Sequence, residues 1–314
     1  MKEKKLIIVK YVFEIILIIV LSLMYYLSQP IKTPKILYIP KGSINQIISQ
    51  LHNKNYDVCK LDAFLLRFIG TPQSGWINLQ SSCNTRADFL YKLTTSKAAM
   101  RNITLIPGET TYIFLNQLAN NLGLDREKLQ EEFKKQSPLQ EGVFMPNTYK
   151  IPLGINEKSL IALLLKISSK EMKRISYKIF GTYNQKKWFN YITIASIIQK
   201  ESANTKEMPI VSSVIYNRLK KGMKLQMDGT LNYGKYSHIK VTPKRISNDN
   251  TNYNTYKKRG LPSAPVCNVS KEAIMAAIFP AKTKYLYFMK SKKGTHDFTC
   301  NYSTHLRNIK RATK

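Results

Sequence analysis

The sequence predicts an α+β fold that follows a single membrane-spanning helix. Residues 6–27 form an apolar stretch about as long as the hydrocarbon core of a bilayer. Beyond it, a strand, a turn with Pro and Gly, and an amphipathic helix follow one another at 36–51 and again at 102–119. The chain has 314 residues and is 43% hydrophobic, with only 13 Gly and 13 Pro. This composition supports one or two ordinary cores and argues against disorder.

The N-terminal stretch is predicted to be an uncleaved membrane anchor. Three lysines lie in residues 1–5, and basic residues tend to stay on the cytoplasmic side. This tendency predicts a cytoplasmic tail at 1–5, a span at 6–27 and an outward-facing remainder. Within the span, Lys10 and Glu14 lie four residues apart and can pair on one helix face. A cleaved signal peptide is the alternative, but the sequence after the span offers no small-x-small cleavage site.

The formal net charge of +31 suits an anionic partner, which can be nucleic acid, a membrane surface or an acidic cell-wall polymer. The Lys and Arg residues are scattered through every segment and do not form one stripe with interleaved aromatic residues. That distribution disfavours nucleic acid, and an outward-facing chain would not meet DNA. The membrane and the cell wall are therefore the expected partners.

Behind a short linker with Pro and Lys, predicted at 28–37, the first α+β module is expected at 38–100. Its first helix has Ser43 as a plausible N-cap. Apolar residues then recur at i, i+3, i+4 and i+7, the pattern of one buried helix face: Ile44, Ile47, Ile48 and Leu51. A larger α+β domain is expected at 101–314. In its segment EGVFMPNTY, Asn147 and Tyr149 either line a cleft or close a turn, and their spacing does not decide between the two.

The helix predicted at 188–201 carries apolar residues on nearly every side, which places it in the centre of a core. It ends on a carboxylate, Glu201. The negative end of the helix dipole and partial desolvation both oppose ionisation there and predict a raised pKa. A raised pKa suits a general acid acting on an ether-like bond near neutral pH. The alternative is that Glu201 pairs with Lys200 or Lys206 on the surface. The next helix begins near Pro209.

Several motifs appear in a fixed order along the chain: IPKGS, LIPGETT, EGVFMPNTY, ASIIQKES, VIYNRLKKGMKLQMDGTLNYG, YNTYKKRGLPSAPVCNVSKEAIMAAIFPAKTKYLYF and HDF. This ordered set resembles the MltG/YceG family of membrane-anchored endolytic murein transglycosylases, over nearly the whole chain after the anchor. The resemblance implies a LysM-like first module and makes Glu201 the catalytic glutamate. It also implies substrate-binding roles for five positions: Gln226, Asp228, Tyr253, Asn254 and Tyr256. The chain departs from the family's pattern at Asn147, Gln199 and Gly229, where Asp, an acidic residue and Pro are usual.

The resemblance implies a definite reaction. Glu201 would protonate the oxygen of the β-1,4 bond between N-acetylmuramic acid and N-acetylglucosamine. The resulting carboxylate would then accept the proton of the sugar's own C6 hydroxyl, which closes onto C1 and leaves a 1,6-anhydro end. An intramolecular nucleophile has a high effective concentration, so one acid can suffice. No cofactor or metal is expected. The resemblance also implies a place in the cytoplasmic (inner) membrane, facing the periplasm or cell wall, with peptidoglycan strands as substrate and peptidoglycan synthases as possible partners.

The cysteines admit two interpretations. In an oxidising space, sequence proximity suggests disulfides between Cys59 and Cys83 and between Cys267 and Cys300. A zinc site would instead combine Cys300 with His296 and His305, but no C-x-x-C pair supports it.

Two other functions compete with the transglycosylase. Ser237 and Lys240 fit the S-x-x-K motif of serine transpeptidases, although SNDN and KGT differ from that family's partner motifs SDN and KTG. A noncatalytic wall-binding scaffold, in which the first module does the binding and Glu201 is incidental, is the other alternative.

Overall fold

The computed structural model describes residues 2–292 and 294–313, and it has the mixed helix and strand content that the sequence predicts. The helices are α1 (Lys2–Ser28), α2 (Ile44–Asn53), α3 (Lys60–Ile69), α4 (Arg86–Thr95), α5 (Thr111–Leu122), α6 (Arg126–Gln136), α7 (Glu157–Phe180), α8 (Gln185–Glu201), α9 (Met208–Lys220), α10 (Pro243–Asn248), α11 (Lys271–Ile278) and α12 (Tyr302–Thr313). Short 3₁₀ helices lie at Asp228–Leu231 and Gly234–Tyr236.

The strands form two-stranded sheets. They are β1 (Pro30–Lys32), β2 (Ile36–Ile39), β3 (Gly75–Asn78), β4 (Cys83–Thr85), β5 (Met100–Leu105), β6 (Asn147–Pro152), β7 (Tyr287–Lys290) and β8 (His296–Thr299). The pairs are β1 with β4, β2 with β3, β5 with β6, and β7 with β8. The chain divides into two compact units, the first comprising 1–101 with 151–154 and the second 102–150 with 155–314.

Helix α1 is long and apolar enough to cross a membrane. Its segment Leu6–Ser28 has a mean hydropathy of 2.7, and residues 6–25 are all exposed. Lys10 Nζ lies 3.9 Å from Glu14 Oε1, which is the pairing that the i, i+4 spacing predicts. The predicted tail at 1–5 lies partly outside the described residues, because Met1 is not among them; Lys2 already belongs to α1.

The segment predicted as a linker, 28–37, is folded. Strand β1 pairs antiparallel with β4, and Ile36 and Leu37 already belong to β2, which pairs antiparallel with β3. Ile31 and Leu37 are buried in the core of the first unit, so the segment contributes side chains to that core. The Pro and Lys residues suggested an exposed connection, but the apolar residues between them gain more from burial than from exposure.

The first unit packs α2, α3 and α4 with its two short sheets. Ser43 caps α2 in a capping box with Gln46, and the predicted apolar face is buried at Ile47, Ile48 and Leu51. The core also contains large side chains from the strands and from α3 and α4: Ile39, Leu66, Ile77, Leu79, Phe89, Leu90 and Leu93.

A buried ion pair holds the end of α1 to this unit. The Arg86 guanidinium contacts the fully buried Asp62 carboxylate at 2.7 Å and the exposed Asp57 carboxylate at 2.7 Å. It also lies 4.3 Å from the centre of the Tyr26 ring, near the end of α1. The Tyr26 hydroxyl in turn donates a hydrogen bond to Asp62, at 2.9 Å. The ion pair therefore joins α1, α3 and α4 at one point.

The second unit is built around α8, whose residues from Ile192 to Ile198 are all buried. Helices α9 and α11 pack against it, and their buried residues Val211, Val214, Ile215, Ala273 and Ile274 join the same cluster. The prediction that an all-round apolar helix lies in the centre of a core is confirmed.

Removing Asp62 should destabilise the protein far more than removing Asp57. An Asp62→Ala change leaves the buried Arg86 charge without its buried partner, and such losses cost about 3–5 kcal/mol. Asp57 is exposed, and exposed pairs contribute about 1 kcal/mol or less. Denaturant unfolding of the full chain in detergent measures both free energies. Equal losses for Asp62→Ala and Asp57→Ala would contradict this account of the pair.

Candidate active site

Glu201 is the last residue of α8 and is partly buried. Its Oε1 atom accepts a hydrogen bond from the backbone N–H of Gly229, at 2.6 Å. Gly229 approaches so closely because it has no side chain: a Cβ there would lie 2.6 Å from the Cβ of Lys200 and 2.8 Å from Glu201 Oε1. The loop after α9 is therefore held directly against the carboxyl group.

The environment of Glu201 favours the protonated acid. Burial is the largest effect and, with the nearby charge of Asp228, raises the pKa of the carboxyl to about 7. The Gly229 hydrogen bond and the charge of Arg218 act in the opposite direction and lower the pKa. The raised pKa expected from the sequence is thus present, and desolvation is its main cause.

Glu201 is not in a surface ion pair. Lys200, the neighbour considered as a partner, donates a hydrogen bond to Ser237 Oγ at 3.0 Å. Lys206 is exposed. Within the described part of the chain, neither lysine forms a salt bridge with Glu201. One carboxyl oxygen of Glu201 is held by Gly229, and none of the described Lys, Arg or His side chains lies within ion-pair distance of the group.

Asp228 and Tyr256 lie beside Glu201. The Tyr256 hydroxyl donates to Asp228 Oδ1 at 2.7 Å. Burial raises the pKa of Tyr256, and the charges of Asp228 and Glu201 raise it further. Asp228 is exposed, so its carboxylate can face a ligand. The structure therefore brings three of the predicted site residues together.

Gln226 lies two residues before Asp228 and is exposed, between the buried residues Leu225 and Met227. Its φ angle of 48° lies in the left-handed region, which few non-glycine residues adopt. Its backbone N–H donates to the Thr255 carbonyl at 3.2 Å. The strained backbone holds the Gln226 side chain toward solvent, on the same loop as Asp228.

Asn254 does not face this site. It is completely buried, and its amide nitrogen donates to the carbonyls of Ile246 at 2.8 Å and Asp249 at 2.7 Å. Its Oδ1 accepts the backbone N–H of Tyr256 at 3.1 Å. These bonds occupy both amide hydrogens, so Asn254 shapes the loop that carries Tyr256 and offers no group to a ligand.

Tyr253 faces a different part of the second unit. Its ring stacks on that of Tyr233, with 4.3 Å between the centroids and 16° between the planes. Both rings line a cavity that also contains Glu141. Tyr253 thus lines a cavity to which Glu201 does not contribute.

Glu141 is a residue of this cavity that no sequence motif indicated. This carboxyl group is buried, and burial raises its pKa to about 7. The only signal in the sequence is a carboxylate at the start of the otherwise apolar EGVFM segment. In the same segment, Tyr149 meets both alternatives left open: its buried hydroxyl donates to the Met145 carbonyl at 2.5 Å, and together with Asn147 it lines a cavity of about 580 Å³. Asn147 is exposed, and its Oδ1 accepts the N–H of Thr148.

A contact between Glu207 and His296 anchors the loop that follows Glu201. Glu207 accepts the backbone N–H of His296 at 2.9 Å and contacts His296 Nδ1 at 2.7 Å. This contact ties 202–207 to β8. It also engages one of the histidines considered as a zinc ligand. Among residues 2–292 and 294–313, no group of three His, Cys, Asp or Glu side chains is placed to hold a metal ion.

All four cysteines carry free thiols, so the suggested disulfides are not formed. Cys267 is completely buried and its thiol lies 3.6 Å from the Ser196 carbonyl, whereas Cys300 is exposed. The transpeptidase motif also lacks its geometry. Ser237 is buried and bonds to Lys200, while Lys240 is exposed.

Comparison with known proteins places this geometry in a family. The model of the YceG-like family matches residues 37–311. The endolytic murein transglycosylase of Bacillus subtilis is 29% identical over 319 aligned positions, which cover 90% of this chain and 86% of the relative. The enzyme of the same name from Streptococcus pneumoniae strain D39 is 30% identical over 177 positions, covering 54% of this chain and 31% of that longer protein.

A solved structure shows the same fold. The crystal structure of the yceG-like protein lmo1499 from Listeria monocytogenes aligns with a TM-score of 0.57 at 23% identity. The alignment covers 88% of this chain and 99% of the Listeria chain. Because the family model extends over nearly all of the chain beyond α1, the chain belongs to the YceG-like family.

Proposed function

We propose that this protein is an endolytic lytic transglycosylase, which cleaves the β-1,4 bond between N-acetylmuramic acid and N-acetylglucosamine in peptidoglycan. The observation that carries the proposal is the carboxyl of Glu201, desolvated at the end of a buried helix and with a pKa of about 7. Such a group is largely protonated below neutral pH and can donate its proton. The names of the bacillary and streptococcal relatives support the same activity.

In the first step, Glu201 donates its proton to the glycosidic oxygen, and the bond from that oxygen to C1 of N-acetylmuramic acid breaks. Positive charge then develops at C1. The exposed carboxylate of Asp228, bonded to the Tyr256 hydroxyl, lies on the loop that faces Glu201 and stabilises this charge. Asp228 also favours protonation of Glu201 before the reaction.

In the second step, the ionised Glu201 accepts the proton of the C6 hydroxyl of the same sugar. The C6 oxygen bonds to C1, which gives the 1,6-anhydro end and returns Glu201 to its acid form. The hydrogen bond from Gly229 stabilises the carboxylate between the two steps. Gln226, exposed on the same loop, contacts the hydroxyl or acetamido groups of the strand.

The domain organisation and location follow from the same proposal. Helix α1 anchors the protein in the cytoplasmic (inner) membrane with its N-terminus inside, so both units face the periplasm or cell wall. The first unit contains the LysM-like module, and the second carries the catalytic cleft. Peptidoglycan synthases are the proposed partners, because an enzyme that cleaves nascent strands acts where those strands are synthesised.

A Glu201→Gln variant tests the function. The amide keeps the shape of the side chain but cannot donate a proton, so release of anhydro-ended fragments should fall about 100-fold or more. Mass spectrometry of fragments released from purified murein measures the products. Glu171→Gln, which changes an exposed carboxylate bonded to Arg174, is the control and should keep full activity. Unaltered product formation by Glu201→Gln would contradict the role of Glu201 as the acid, and a wild type that forms no such products would favour a noncatalytic wall-binding protein.

The pH dependence of cleavage should report the acid form of Glu201. Because its pKa is raised to about 7, the protonated fraction falls as the pH rises through 7, and activity should decline on the alkaline side. In Asp228→Asn, the loss of the neighbouring charge lowers the pKa of Glu201. The alkaline limb should therefore move to lower pH, by about half a unit.

Asp125→Asn is the matched control for that experiment. It also removes one negative charge, and asparagine caps α6 as well as aspartate does. Its pH profile should superimpose on that of the wild type. If the alkaline limb of the Asp228→Asn profile stays at the wild-type pH or moves to higher pH, the proposed electrostatic role of Asp228 is disproved.

A further inference from the structure

A cavity of about 310 Å³ lies in the second unit and has no role in the steps described for Glu201. Helices α5 and α6 form one side, and the segment after the 3₁₀ helix at Asp228–Leu231 forms the other. The residues that matter for its chemistry are Gln130, Lys134, Gln140, Glu141, Tyr233 and Tyr253. The cavity therefore combines a buried carboxyl, an aromatic wall and a polar rim.

The carboxyl group of Glu141 has unused hydrogen-bonding capacity. Its Oε1 atom accepts from the Thr111 backbone at 2.9 Å, the Thr111 hydroxyl at 2.6 Å and the Gly142 backbone at 3.1 Å. Among the described residues, its Oε2 atom accepts a hydrogen bond from the Thr111 N–H alone, at 3.0 Å, and shares that N–H with Oε1. A carboxylate offers about four acceptor positions, so Oε2 can accept a further hydrogen bond from a ligand in the cavity.

Close packing fixes Glu141 at this wall. The next residue, Gly142, has a φ angle of 71°, and a Cβ there would lie 2.7 Å from Pro265 and 2.9 Å from Ile192 of α8. No larger residue fits between the segment and the central helix. The position of the carboxyl is thus set by the core of the unit and is in place before any ligand binds.

The aromatic wall is also held in place. The Tyr233 hydroxyl donates to Asp249 Oδ2 at 2.9 Å, and its ring stacks on Tyr253. Both rings are only partly buried, so an apolar ring surface remains open to the cavity. Fixed aromatic faces bind the C–H faces of sugar rings at little entropic cost. Carboxyl and amide groups at the edge then bind the hydroxyl and acetamido groups.

The charges around the cavity select a neutral ligand. The buried carboxyl of Glu141 would attract a cation, but the positive charge of Lys200 already acts on that carboxyl and would repel a second cation. Lys134 adds a second positive charge at the rim. An anion would meet the Glu141 carboxylate. A neutral ligand with N–H and O–H donors avoids both penalties.

The chain segment that lines the cavity directly follows the loop that contacts Glu201. Tyr233 and Gly234 line it, and they follow within five residues of Gly229, the residue bonded to Glu201. Lys200 immediately precedes Glu201, and its charge acts on Glu141. The same chain segment therefore contacts Glu201 and lines the cavity.

We propose that this cavity is a saccharide subsite, which binds one N-acetylated amino sugar of the strand cleaved at Glu201. Glu141 accepts a hydrogen bond from the sugar's acetamido N–H or a hydroxyl, and the Tyr233–Tyr253 pair packs against the ring. Glu141 binds and positions the strand and takes no part in bond cleavage. The inference rests on the proposed function and adds residues that bind the strand at a position remote from the scissile bond.

Binding to an inactive protein tests the subsite. The full chain in detergent carries Glu201→Gln, and titration calorimetry measures the Kd of an octasaccharide of alternating N-acetylglucosamine and N-acetylmuramic acid. Adding Glu141→Gln turns the free acceptor into an N–H donor and should raise the Kd about tenfold. Adding Tyr253→Ala removes one ring of the wall and should raise it by a similar factor. Glu171→Gln and Tyr177→Ala alter an exposed carboxylate and an exposed tyrosine, and they should leave the Kd unchanged.

A substitution at the edge of the cavity still tests the subsite if a variant of a buried residue fails to fold. Gln130→Trp places a large side chain from α6 over the cavity without disturbing the core, and it should also raise the Kd. Each variant's thermal unfolding is measured alongside. If Gln130→Trp and every folded variant among Glu141→Gln and Tyr253→Ala bind the octasaccharide as the parent does, the subsite is disproved.

A kinetic measurement separates this proposal from the proposed function. With Glu201 intact, Gln130→Trp and Tyr253→Ala should raise the KM for murein strands while anhydro-ended products still form. If products form and the KM is unchanged, only the subsite is disproved. If the wild type makes no such products and its Glu201→Gln form does not bind the octasaccharide, both proposals are disproved.

Discussion

The desolvation of one carboxyl group, that of Glu201, is the constraint on which the site depends. Helix α8 is buried from Ile192 to Ile198, close to its C-terminal end, so its last residue has limited access to water. The loop at Gly229 completes this environment, because a residue without a side chain can approach to within hydrogen-bonding distance. Burial favours the acid form, while the hydrogen bond from Gly229 stabilises the carboxylate. A group that must both give and take a proton needs these opposing effects to be nearly balanced.

The segments around α8 are joined by a buried polar network centred on Asn268. Its Oδ1 accepts the N–H of Phe144 at 3.0 Å, and its amide nitrogen donates to the carbonyl of Glu109 at 3.1 Å. The backbone of Asn268 also exchanges hydrogen bonds with Gly108 and Glu109, both at 2.9 Å. Three motifs that are far apart in sequence therefore meet at one residue. Buried polar groups must be paired, so these segments can pack only in this arrangement.

In the first unit, the buried ion pair of Arg86 with Asp62, rather than an apolar helix, holds the start of the chain in place. Arg86 and Asp62 are both buried, and Tyr26 near the end of α1 contacts each of them. The strand β1 follows α1 after a single residue and enters the core through Ile31. The first unit consequently follows α1 without a flexible spacer.

The sequence alone determined the features that depend on neighbours a few residues away. Apolar periodicity predicted the buried face of α2 and the central place of α8, and Lys10 and Glu14 pair as their spacing requires. The position of Glu201 at a helix end and the direction of its pKa shift were also predictable, because an all-round apolar helix implies a buried environment and burial is the main cause of the shift.

Only the tertiary structure decided which groups meet. Gly229 lies 28 residues from Glu201, and Asn268 lies 124 residues from Phe144, so no local pattern could connect them. For the same reason, the sequence did not show that Asn254 is held inside a loop or that Glu141 is buried. It also did not show that the thiols stay unpaired. A hydrogen bond depends on distance in space, and the packing of the whole core around α8 sets that distance.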